Sequence, residues 1–448
     1  MNIALMHYRV LETDGVSLEM EKWKTVLESL GHHVSYIAAS ENELTHTIDA
    51  LNIRSEKHKK LFHNAYVSFD DYASEDDFMQ VIQDEANFIS KALCDIIDNA
   101  NLDMLIINNI GSLGLHLPAG VAVANLHKKR TIKIAYHHHD FYWERARYHH
   151  PTTEGVKNLL KTVFPPRDQS AKHFVINKIA QNALFERKGL KATVVPNVFD
   201  FSQDPWVVDD YNRDMRARIG ISDDDIVLLQ ATRIEDRKAI EFAVDLTAYL
   251  SALVDNAEGD TLYNGKPITK DITVHLVIAG MPEMDPKRHD TLVNHCKAQN
   301  IHVHFINDMI GASRKASPNK IYSLWDAYTM CDAVTYPSIL EGWGNQFIEA
   351  IFAKKPVVAF EYPVFKTDIL PLGFKVISLG DSYKTRPNGL YQLDENIINQ
   401  AAQSLFKVLR DHPQYHEMVE HNAQIGKRTL SYNTLSKLLS DTLFDWSW

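Results

Sequence analysis

The amino-acid sequence predicts an α/β protein built from two doubly wound domains, each with a parallel sheet between layers of helices. Two observations lead to this prediction. Short apolar runs alternate with helical stretches along the chain, and the same series starts afresh after a polar, aperiodic segment near residue 200. Strands buried on both faces read as continuous apolar runs. Ligands of such sheets bind beyond the carboxyl ends of the strands, so we expect the site in a cleft between two facing domains.

The first forty residues already predict a strand, a helix and a second strand. Residues 2–6 are apolar, Met20, Trp23 and Leu27 recur at helical spacing, and Gly31 is expected to end the helix. The next apolar run begins at His33. The predicted strands of the first half are 2–6, 33–37, 103–107, 131–136, 173–176 and 192–195, and those of the second half are 226–230, 274–279, 302–306, 333–336, 357–360 and 375–377.

Changes in amino-acid composition along the chain indicate the domain boundaries. We predict an N-terminal domain over residues 1–205, with a charged helical insert at about 41–101 that includes a helix over 75–97. A second domain follows over 206–428. Residues 429–448 carry leucines at helical spacing and predict a separate amphipathic helix that must lie on an apolar surface.

Composition also limits the class of function. The 448 residues carry a net charge of −11, which repels nucleic acid and anionic lipid. Three widely spaced cysteines fit a reducing compartment, and no signal peptide or apolar span is recognisable, so we predict a cytoplasmic protein. Neither a G-x-G-x-x-G fingerprint nor a P-loop follows any strand.

The strongest motif follows the predicted strand that ends at Tyr336. Residues 336–350 read YPSILEGWGNQFIEA. Gly342 and Gly344 predict a turn that opens a helix, whose first amides are free to bind an anion or sugar hydroxyls. Glu341 would then lie in the loop and Glu349 about two turns into the helix on a similar side. The alternative is a glycine-bearing turn beside two solvated glutamates.

This segment resembles the E-x7-E motif of the family 4 glycosyltransferases, which are retaining enzymes with the GT-B fold. The resemblance implies two facing Rossmann-like domains and a nucleotide-sugar donor held by the second of them. The donor-binding residues that it implies here are Glu341, Gly342, Trp343, Gly344, Asn345 and Glu349, with Glu341 also assigned to catalysis.

A basic segment, ATRIEDRK at residues 231–238, is similar to the family's Gly-Arg-x-x-x-x-Lys segment, although Thr232 stands where glycine is commoner. The resemblance implies that Arg233 and Lys238 hold the donor diphosphate and act in catalysis. Two fixed cations would stabilise the charge that grows on the leaving group as the bond to the sugar breaks. The alternative is a solvated basic turn.

Three further matches extend the resemblance over nearly the whole chain, and the resemblance implies that the closing helix at 429–448 returns to the N-terminal domain. Residues 196–200, PNVFD, are similar to the family's interdomain hinge but lack its glycine. Gly15 matches the N-terminal glycine turn that approaches the distal phosphate, and it could instead simply begin a helix after Asp14. His139, with Asp140, matches the His-Asp pair beside the reactive carbon of the donor sugar, so the resemblance implies a catalytic His139. Lys355 departs from the family by replacing a usual glycine.

The segment after His139 is rich in aromatic and charged residues and is the candidate acceptor wall. Aromatic faces stack on sugar rings, and arginines bind carboxylates or phosphates. The acceptor-binding residues that we predict are Asp140, Tyr142, Trp143, Arg145 and Arg147. The alternatives are a capping loop with surface ion pairs and a pairing of either arginine with Glu144.

No metal site is predicted. His137 and His139 could converge because alternate side chains of a strand share a face, whereas His138 could not, and no further ligand lies nearby in sequence. The acidic runs at 70–71 and 222–225 are interpreted as solvated turns. A short basic patch at 54–62 could contact lipid, but the net charge opposes it, and no stable membrane association is expected.

Together these features predict a retaining hexosyltransferase that uses a UDP- or GDP-sugar and a small soluble, anionic acceptor. The resemblance implies that the enzyme builds a mannosyl or glucosyl conjugate of a small acid such as glycerate. No essential cofactor is predicted and Mg²⁺ is not indicated; the chain is expected to be a monomer or a homodimer. Two alternatives stay open at this point: a nucleotide-sugar epimerase on the same fold and a catalytically silent binding protein.

Overall fold

The computed structural model describes residues 1–12, 14–40, 42–168, 170–316 and 319–445. The chain divides into two compact units. The N-terminal unit comprises Met1–Val198 and the segment from Tyr432 onward, and the C-terminal unit comprises Phe199–Ser431. These divisions lie a few residues from the predicted boundaries after 205 and 428. Glu41 of the predicted insert and residues 446–448 of the predicted last segment lie outside the described residues.

The N-terminal unit contains a seven-stranded parallel sheet in the order β3-β2-β1-β4-β5-β6-β7. Its strands are β1 Asn2–Met6, β2 His33–Ala38, β3 Thr45–Thr47, β4 Met104–Asn108, β5 Lys133–His138, β6 Lys172–Val175 and β7 Thr193–Val194. All five residues of β4, the strand beside β1, are buried. This burial on both faces explains why β4 reads as an unbroken apolar run.

Within the described residues of this unit, six helices and a seventh from the end of the chain cover the sheet. They are α1 Gly15–Ser29, α2 Glu56–Tyr66, α3 Glu75–Asn99, α4 Leu117–Ala124, α5 Glu154–Val163, α6 Lys178–Lys188 and, from the end of the chain, α14 Tyr432–Thr442. Asp14 caps α1 by accepting hydrogen bonds from the amides of Val16 and Ser17 at 3.1 and 3.3 Å. Leu435, Leu439 and Leu443 join the apolar core that α1 covers, which buries the leucine stripe of α14.

The predicted helical insert is only partly helical. Helices α2 and α3 are present, but Thr45–Thr47 extends the sheet as edge strand β3, paired with β2, and a 3-10 turn at Asp49–Leu51 follows. The prediction of a helical insert from about residue 41 was therefore wrong for residues 45–51. A three-residue edge strand without an apolar run carries no period-2 pattern, so the sequence could not reveal it.

The C-terminal unit repeats the architecture with a six-stranded parallel sheet in the order β10-β9-β8-β13-β14-β15. Its strands are β8 Ile226–Gln230, β9 Val274–Ile278, β10 His302–Phe305, β13 Ala333–Tyr336, β14 Val357–Ala359 and β15 Ile377–Ser378, and two small sheets are formed by β11 Ile310–Gly311 with β12 Tyr322–Ser323 and by β16 Lys384–Thr385 with β17 Tyr391–Gln392. Its helices are α7 Met215–Arg218, α8 Ile240–Asp255, α9 Pro286–Ala298, α10 Leu324–Met330, α11 Asn345–Phe352, α12 Glu395–Arg410 and α13 His412–Thr429.

Both units consist of parallel strands that alternate with helices along the chain, and this confirms the predicted α/β fold class. Each of the twelve predicted strands has a counterpart, with ends that shift by up to two residues. The largest shift that matters for the site is in β5, which continues through His138, so that His139 is the first residue beyond the strand. Among the described residues, no helix is both long and apolar enough to cross a lipid bilayer.

Candidate active site

The loop between β13 and α11 holds Glu341 in a backbone shape that requires glycine at residue 344. Gly344 has a φ of +137°, and a Cβ there would lie 2.7 Å from the Tyr336 hydroxyl and 2.8 Å from the Tyr362 hydroxyl. Both the positive φ and this close approach exclude other residues. The helix begins at Asn345. Glu349 is therefore one turn into α11 rather than the predicted two.

The Glu341 carboxylate lies between two cations of its own unit. It accepts a hydrogen bond from the Arg237 guanidinium at 2.7 Å and a second from the Lys238 ammonium. The side chains of Glu341 and Lys238 are 9% and 5% exposed. Burial by itself raises the pKa of the Glu341 carboxyl, but the charges of Lys238 and Arg237 outweigh this and lower the pKa below its usual value. The carboxylate is therefore ionised at neutral pH, and the solvated-turn alternative for Glu341 is wrong.

The structure joins Lys238 to Glu341, but it directs Arg233 elsewhere. Arg233 is half exposed and forms ion pairs with Glu283 at 2.5 Å and Glu235 at 3.0 Å. Arg237 lies beside Lys238 at Glu341, and it also contacts Glu235 at 2.7 Å. The role of Arg233 and Lys238 in holding the donor diphosphate stays a prediction.

The remaining donor-side residues surround the start of α11. Glu349 is buried and accepts a hydrogen bond from the Tyr328 hydroxyl at 2.9 Å. Trp343 is buried with no hydrogen-bond partner for its indole nitrogen, while Gly342 is exposed and Asn345 is half-buried in the first turn. Glu341 and Glu349 thus differ in their partners, one held by cations and the other by a phenol.

In the N-terminal unit, His139 is fixed by two consecutive asparagines at the end of β4. The Asn109 side-chain oxygen accepts hydrogen bonds from the amides of His139 at 2.8 Å and Asp140 at 3.0 Å. The Asn108 side-chain oxygen accepts from the Nε2 of His139 at 3.1 Å and the Nδ1 of His137 at 3.2 Å. Neither asparagine was identified from the sequence, because both act across thirty residues of chain.

These contacts define the protonation of His139. Because Nε2 donates its hydrogen to an amide oxygen, Nδ1 is the nitrogen that carries a lone pair in the neutral ring. Burial, together with the neighbouring His137 and His7 rings, holds the pKa of His139 well below its usual value. The His139 imidazole is therefore neutral at physiological pH and can accept a hydrogen bond at Nδ1.

The side chains of His137 and His138 in β5 and of His139 just after it alternate between the two faces of the sheet. The His137 and His139 rings lie 4.1 Å apart, whereas the Nε2 of His138 is 3.0 Å from the Nδ1 of His173 on β6. Across the part of the chain that the structure describes, no group of three or more His, Cys, Asp or Glu residues is arranged to hold a metal ion.

Gly15 is the first residue of α1, directly after the capping Asp14. A Cβ at Gly15 would meet no atom within 4 Å. Its φ is not positive, so the backbone does not demand glycine there. The predicted approach of a phosphate to Gly15 stays a prediction.

The candidate acceptor wall forms two short 3-10 turns, Tyr142–Glu144 and Ala146–Tyr148. Arg145 pairs with Asp140 at 2.5 Å. The alternative pairing with Glu144 is wrong, because that carboxylate instead accepts from the Phe141 amide at 2.8 Å and caps its turn. Asp140 is therefore neutralised by Arg145.

The aromatic residues of this wall pack within the N-terminal unit. The Trp143 ring stacks on Phe141 with centroids 4.4 Å apart, and the Lys188 ammonium lies 5.7 Å from the Tyr142 ring centroid. Arg147 is exposed and lies over the Tyr148 ring at 5.0 Å. Among the described residues, no carboxylate lies within ion-pair distance of Arg147, so its charge is available to a ligand.

Comparison with known proteins identifies the class of protein to which this site belongs. The model of the family described as Glycosyl transferases group 1 matches residues 212–370, and two curated relatives align with the chain nearly end to end. The chain belongs to the glycosyl transferases group 1 family and is a nucleotide-sugar hexosyltransferase. This finding confirms the predicted family and enzyme class, and it favours the transferase over the epimerase and the silent binding protein.

The two relatives are each named mannosylglucosylglycerate synthase. The protein from Petrotoga mobilis is 40% identical, with 95% of this chain and 97% of its own length aligned. The protein from Thermotoga maritima is 37% identical, with 98% and 99% aligned. Both relatives therefore match this chain over its whole length and not only within one unit.

Solved structures share the fold at low sequence identity. Sucrose-phosphate synthase from Thermosynechococcus elongatus superposes with a TM-score of 0.62 at 14% identity, over 100% of both chains. Anabaena HepE, solved in complex with UDP-glucose, gives a TM-score of 0.57 at 13% identity, over 99% of both chains. These similarities confirm the GT-B fold class.

Proposed function

We propose that this chain transfers a mannosyl group from a nucleotide diphosphate sugar to glucosylglycerate, with retention of the anomeric configuration, and so forms mannosylglucosylglycerate. The observation that carries the proposal is the 40% and 37% identity, over almost the whole chain, to two relatives that bear the name of this product. The product name contains a mannosyl unit, a glucosyl unit and glycerate. The last two, glucosyl and glycerate, together define a small anionic acceptor.

The donor half of the proposal rests on the cluster of Arg237, Lys238 and Glu341. As the bond between sugar and diphosphate breaks, negative charge grows on the leaving phosphate oxygen. Cations already fixed in place stabilise that charge more in the transition state than in the ground state. In the ligand-free chain Glu341 holds both cations at one position. We therefore assign leaving-group stabilisation to Lys238 and Arg237, with Arg233 as a further contact of the diphosphate.

The start of α11 is the second part of the proposed donor site. The first amides of a helix have no partners within the helix and favour anions. We propose that Gly342, Trp343, Gly344 and Asn345 present this end of α11 to the donor, and that Glu349 accepts hydrogen bonds from the ribose hydroxyls. Its contact with Tyr328 at 2.9 Å occupies one carboxylate oxygen and fixes the other in orientation.

On the N-terminal unit we propose that neutral His139 accepts a hydrogen bond from a sugar hydroxyl at Nδ1. The Asn108 contact at Nε2 supports this role because it fixes both the ring and its tautomer. Arg147 is the cation that we assign to the acceptor carboxylate, since Arg145 is neutralised by Asp140. Tyr142 and Trp143 would supply aromatic surface for the sugar ring.

The donor base and the cellular compartment are finer points of the same proposal. We infer a GDP- or UDP-linked mannose, with no essential Mg²⁺. The three cysteines are free and buried, which supports a reducing, cytoplasmic environment. Gly15 is proposed to lie near the donor phosphates.

The decisive test is product formation by the purified chain. GDP-mannose and UDP-mannose are each incubated with glucosylglycerate, with glycerate and without acceptor, and the products are separated and examined by NMR. We expect one donor to give mannosylglucosylglycerate, with an anomeric carbon-proton coupling that shows the donor's configuration retained. Absence of product with both donors would refute the proposal. A changed sugar nucleotide in the reaction without acceptor would instead indicate an epimerase.

A further inference from the structure

Three loops of the C-terminal unit are joined by backbone hydrogen bonds at one edge of its sheet. They follow β8, β9 and β13, and these strands lie side by side in the order β9-β8-β13. Ile234, after β8, donates its amide hydrogen to the Met281 carbonyl and accepts at its own carbonyl from the Glu283 amide, each at 2.9 Å. The Arg237 carbonyl accepts from the Ile339 amide, also at 2.9 Å. Parallel sheets bind ligands at this carboxyl edge, so the side chains of these loops are candidates for roles in the donor site.

The loops carry six charged side chains that form one continuous series of ion pairs. In spatial order they are Glu283, Arg233, Glu235, Arg237, Glu341 and Lys238. Carboxylates and cations alternate along the series, so the negative charges compensate the positive ones. A donor diphosphate is itself an anion and is repelled by each of the carboxylates. Binding of a diphosphate therefore becomes stronger when one carboxylate moves away from its cation.

Glu235 connects the two arginines of the series. One of its carboxylate oxygens lies 3.0 Å from Nη2 of Arg233, and the other accepts a hydrogen bond from Nε of Arg237 at 2.7 Å. The Glu235 side chain is 18% exposed, compared with 51% for Arg233. Its backbone is also fixed, because its carbonyl accepts from the Lys238 amide at 3.0 Å. Glu235 thus orients both guanidinium groups at once.

Glu283 contacts Arg233 at the more exposed end of the same series. Its carboxylate accepts a hydrogen bond from Nη1 of Arg233 at 2.5 Å. The Glu283 side chain is 45% exposed. Ion pairs between exposed side chains are weak, because water and salt screen them and both side chains lose freedom. Arginine binds phosphate oxygens in the same charge-assisted geometry as carboxylate oxygens, so a phosphate can replace Glu283.

We propose that the two carboxylates on Arg233 have different roles in the donor site. Glu235 is a positioning residue that keeps Arg233 and Arg237 in place, and Glu283 occupies the place on Arg233 that a phosphate of the donor takes when it binds. This inference rests on the proposed function, which brings both arginines to the donor diphosphate. Glu283 is displaced easily because its ion pair is exposed, whereas Glu235 stays because Arg237 holds its second oxygen.

Displacement of Glu283 also affects release of the product. A free nucleoside diphosphate carries more negative charge than the diphosphate of a sugar donor, because its terminal phosphate is not esterified. Repulsion by a nearby carboxylate therefore weakens the binding of the product more than the binding of the donor. When the product leaves, Glu283 pairs with Arg233 again. We infer that Glu283 limits inhibition of the enzyme by its own nucleoside diphosphate.

The variant Glu283→Gln tests displacement, because it keeps the shape of the side chain and removes its charge. We expect the dissociation constant of the free nucleoside diphosphate to fall about twofold to fivefold, which is the size of one exposed ion pair. Calorimetry with UDP and with GDP measures this constant without donor sugar or acceptor. The inhibition constant of the same nucleotide in the transferase assay should fall by a similar factor, and kcat should not fall. An unchanged or higher dissociation constant would refute displacement.

The variant Glu235→Gln tests positioning by separating kcat from KM. Loss of the charge-assisted contacts leaves the arginines mobile, so we expect kcat to fall about tenfold or more. The donor KM should change much less, because the two cations still attract the diphosphate and one repelling carboxylate is gone. Thermal melts of the same preparation give the folded fraction. A kcat equal to that of the wild type after correction for the folded fraction would refute the positioning role.

Glu420→Gln is the matched control for both variants. Glu420 lies on α13 of the same unit, pairs with Lys354 at 2.6 Å and is 48% exposed, so the substitution removes an equal charge from a similar ion pair outside the three loops. It should change neither the dissociation constant nor kcat. Equal effects of Glu283→Gln and Glu420→Gln would refute the inference, because net charge alone would then explain them. A wild-type chain that binds neither UDP nor GDP would instead refute the proposed donor site itself.

Discussion

The substitution Lys238→Met provides the sharpest test of the proposed donor site, because its effects on folding and on turnover can be estimated separately. Removing one member of a buried ion pair costs about 3–5 kcal/mol when the remaining charge is left uncompensated. Here Arg237 remains 2.7 Å from Glu341 and still compensates it. We therefore expect the variant to lose at most about 3 kcal/mol of unfolding free energy.

This stability loss corresponds to a modest change in melting temperature. At about 2–4 °C per kcal/mol for a domain of 150–250 residues, the midpoint should fall by no more than about 12 °C. The effect on catalysis should be much larger. Loss of one preorganised group that stabilises transition-state charge lowers turnover on the order of a hundredfold to a thousandfold. The variant should therefore be folded at 25 °C and nearly inactive.

The assay measures kcat/KM at 25 °C and the melting temperature of the same preparation. Lys355→Met is the matched control, because Lys355 lies in the same unit and donates from its ammonium group to the Cys331 carbonyl at 2.7 Å, away from Glu341. We expect it to lower stability by about 1 kcal/mol and to leave turnover unchanged. Equal activity losses in the two variants would refute the assignment of Lys238. Recovery of the Lys238→Met activity on cooling would also refute the assignment, because it would show that unfolding caused the loss of activity.

Three further predictions concern the contact with the donor ribose, the contact with the acceptor carboxylate and the glycine in the loop that holds Glu341. Glu349→Gln should weaken binding of free nucleoside diphosphate about tenfold by calorimetry, because a charged acceptor of hydroxyl hydrogens is lost; unchanged affinity would remove Glu349 from the donor site. Arg147→Gln should raise the acceptor KM about tenfold to a hundredfold and Arg145→Gln much less, since Arg145 already has an anionic partner; equal effects on donor and acceptor KM would show a structural role instead. Gly344→Ala should lower stability by more than about 1 kcal/mol in denaturant titrations, because its φ of +137° is unfavourable for alanine; a wild-type unfolding midpoint would contradict the requirement for glycine in this loop.

The sequence was sufficient to predict the twelve main strands of the two units in their order along the chain. Central strands such as Met104–Asn108 and Ile226–Gln230 are buried along their whole length, so their environment appears directly as an apolar run. The loop from Tyr336 to Gly344 was also recognisable, because a turn that excludes a Cβ leaves glycine in the sequence. Edge strand β3 was missed, since three residues at the margin of a sheet leave no periodic pattern.

The partners of the site residues were decided only by the tertiary structure. The loop that carries Glu341, more than one hundred residues further along the chain, meets Arg237 and Lys238. The contact of Asn108 with His139 is likewise formed between strand ends that are distant in the chain. Apolar periodicity reflects how deeply each residue is buried, which is a local property of the sequence. The choice of a hydrogen-bond partner depends on where two separate loops come together in space. No local sequence pattern specifies the distance between those loops.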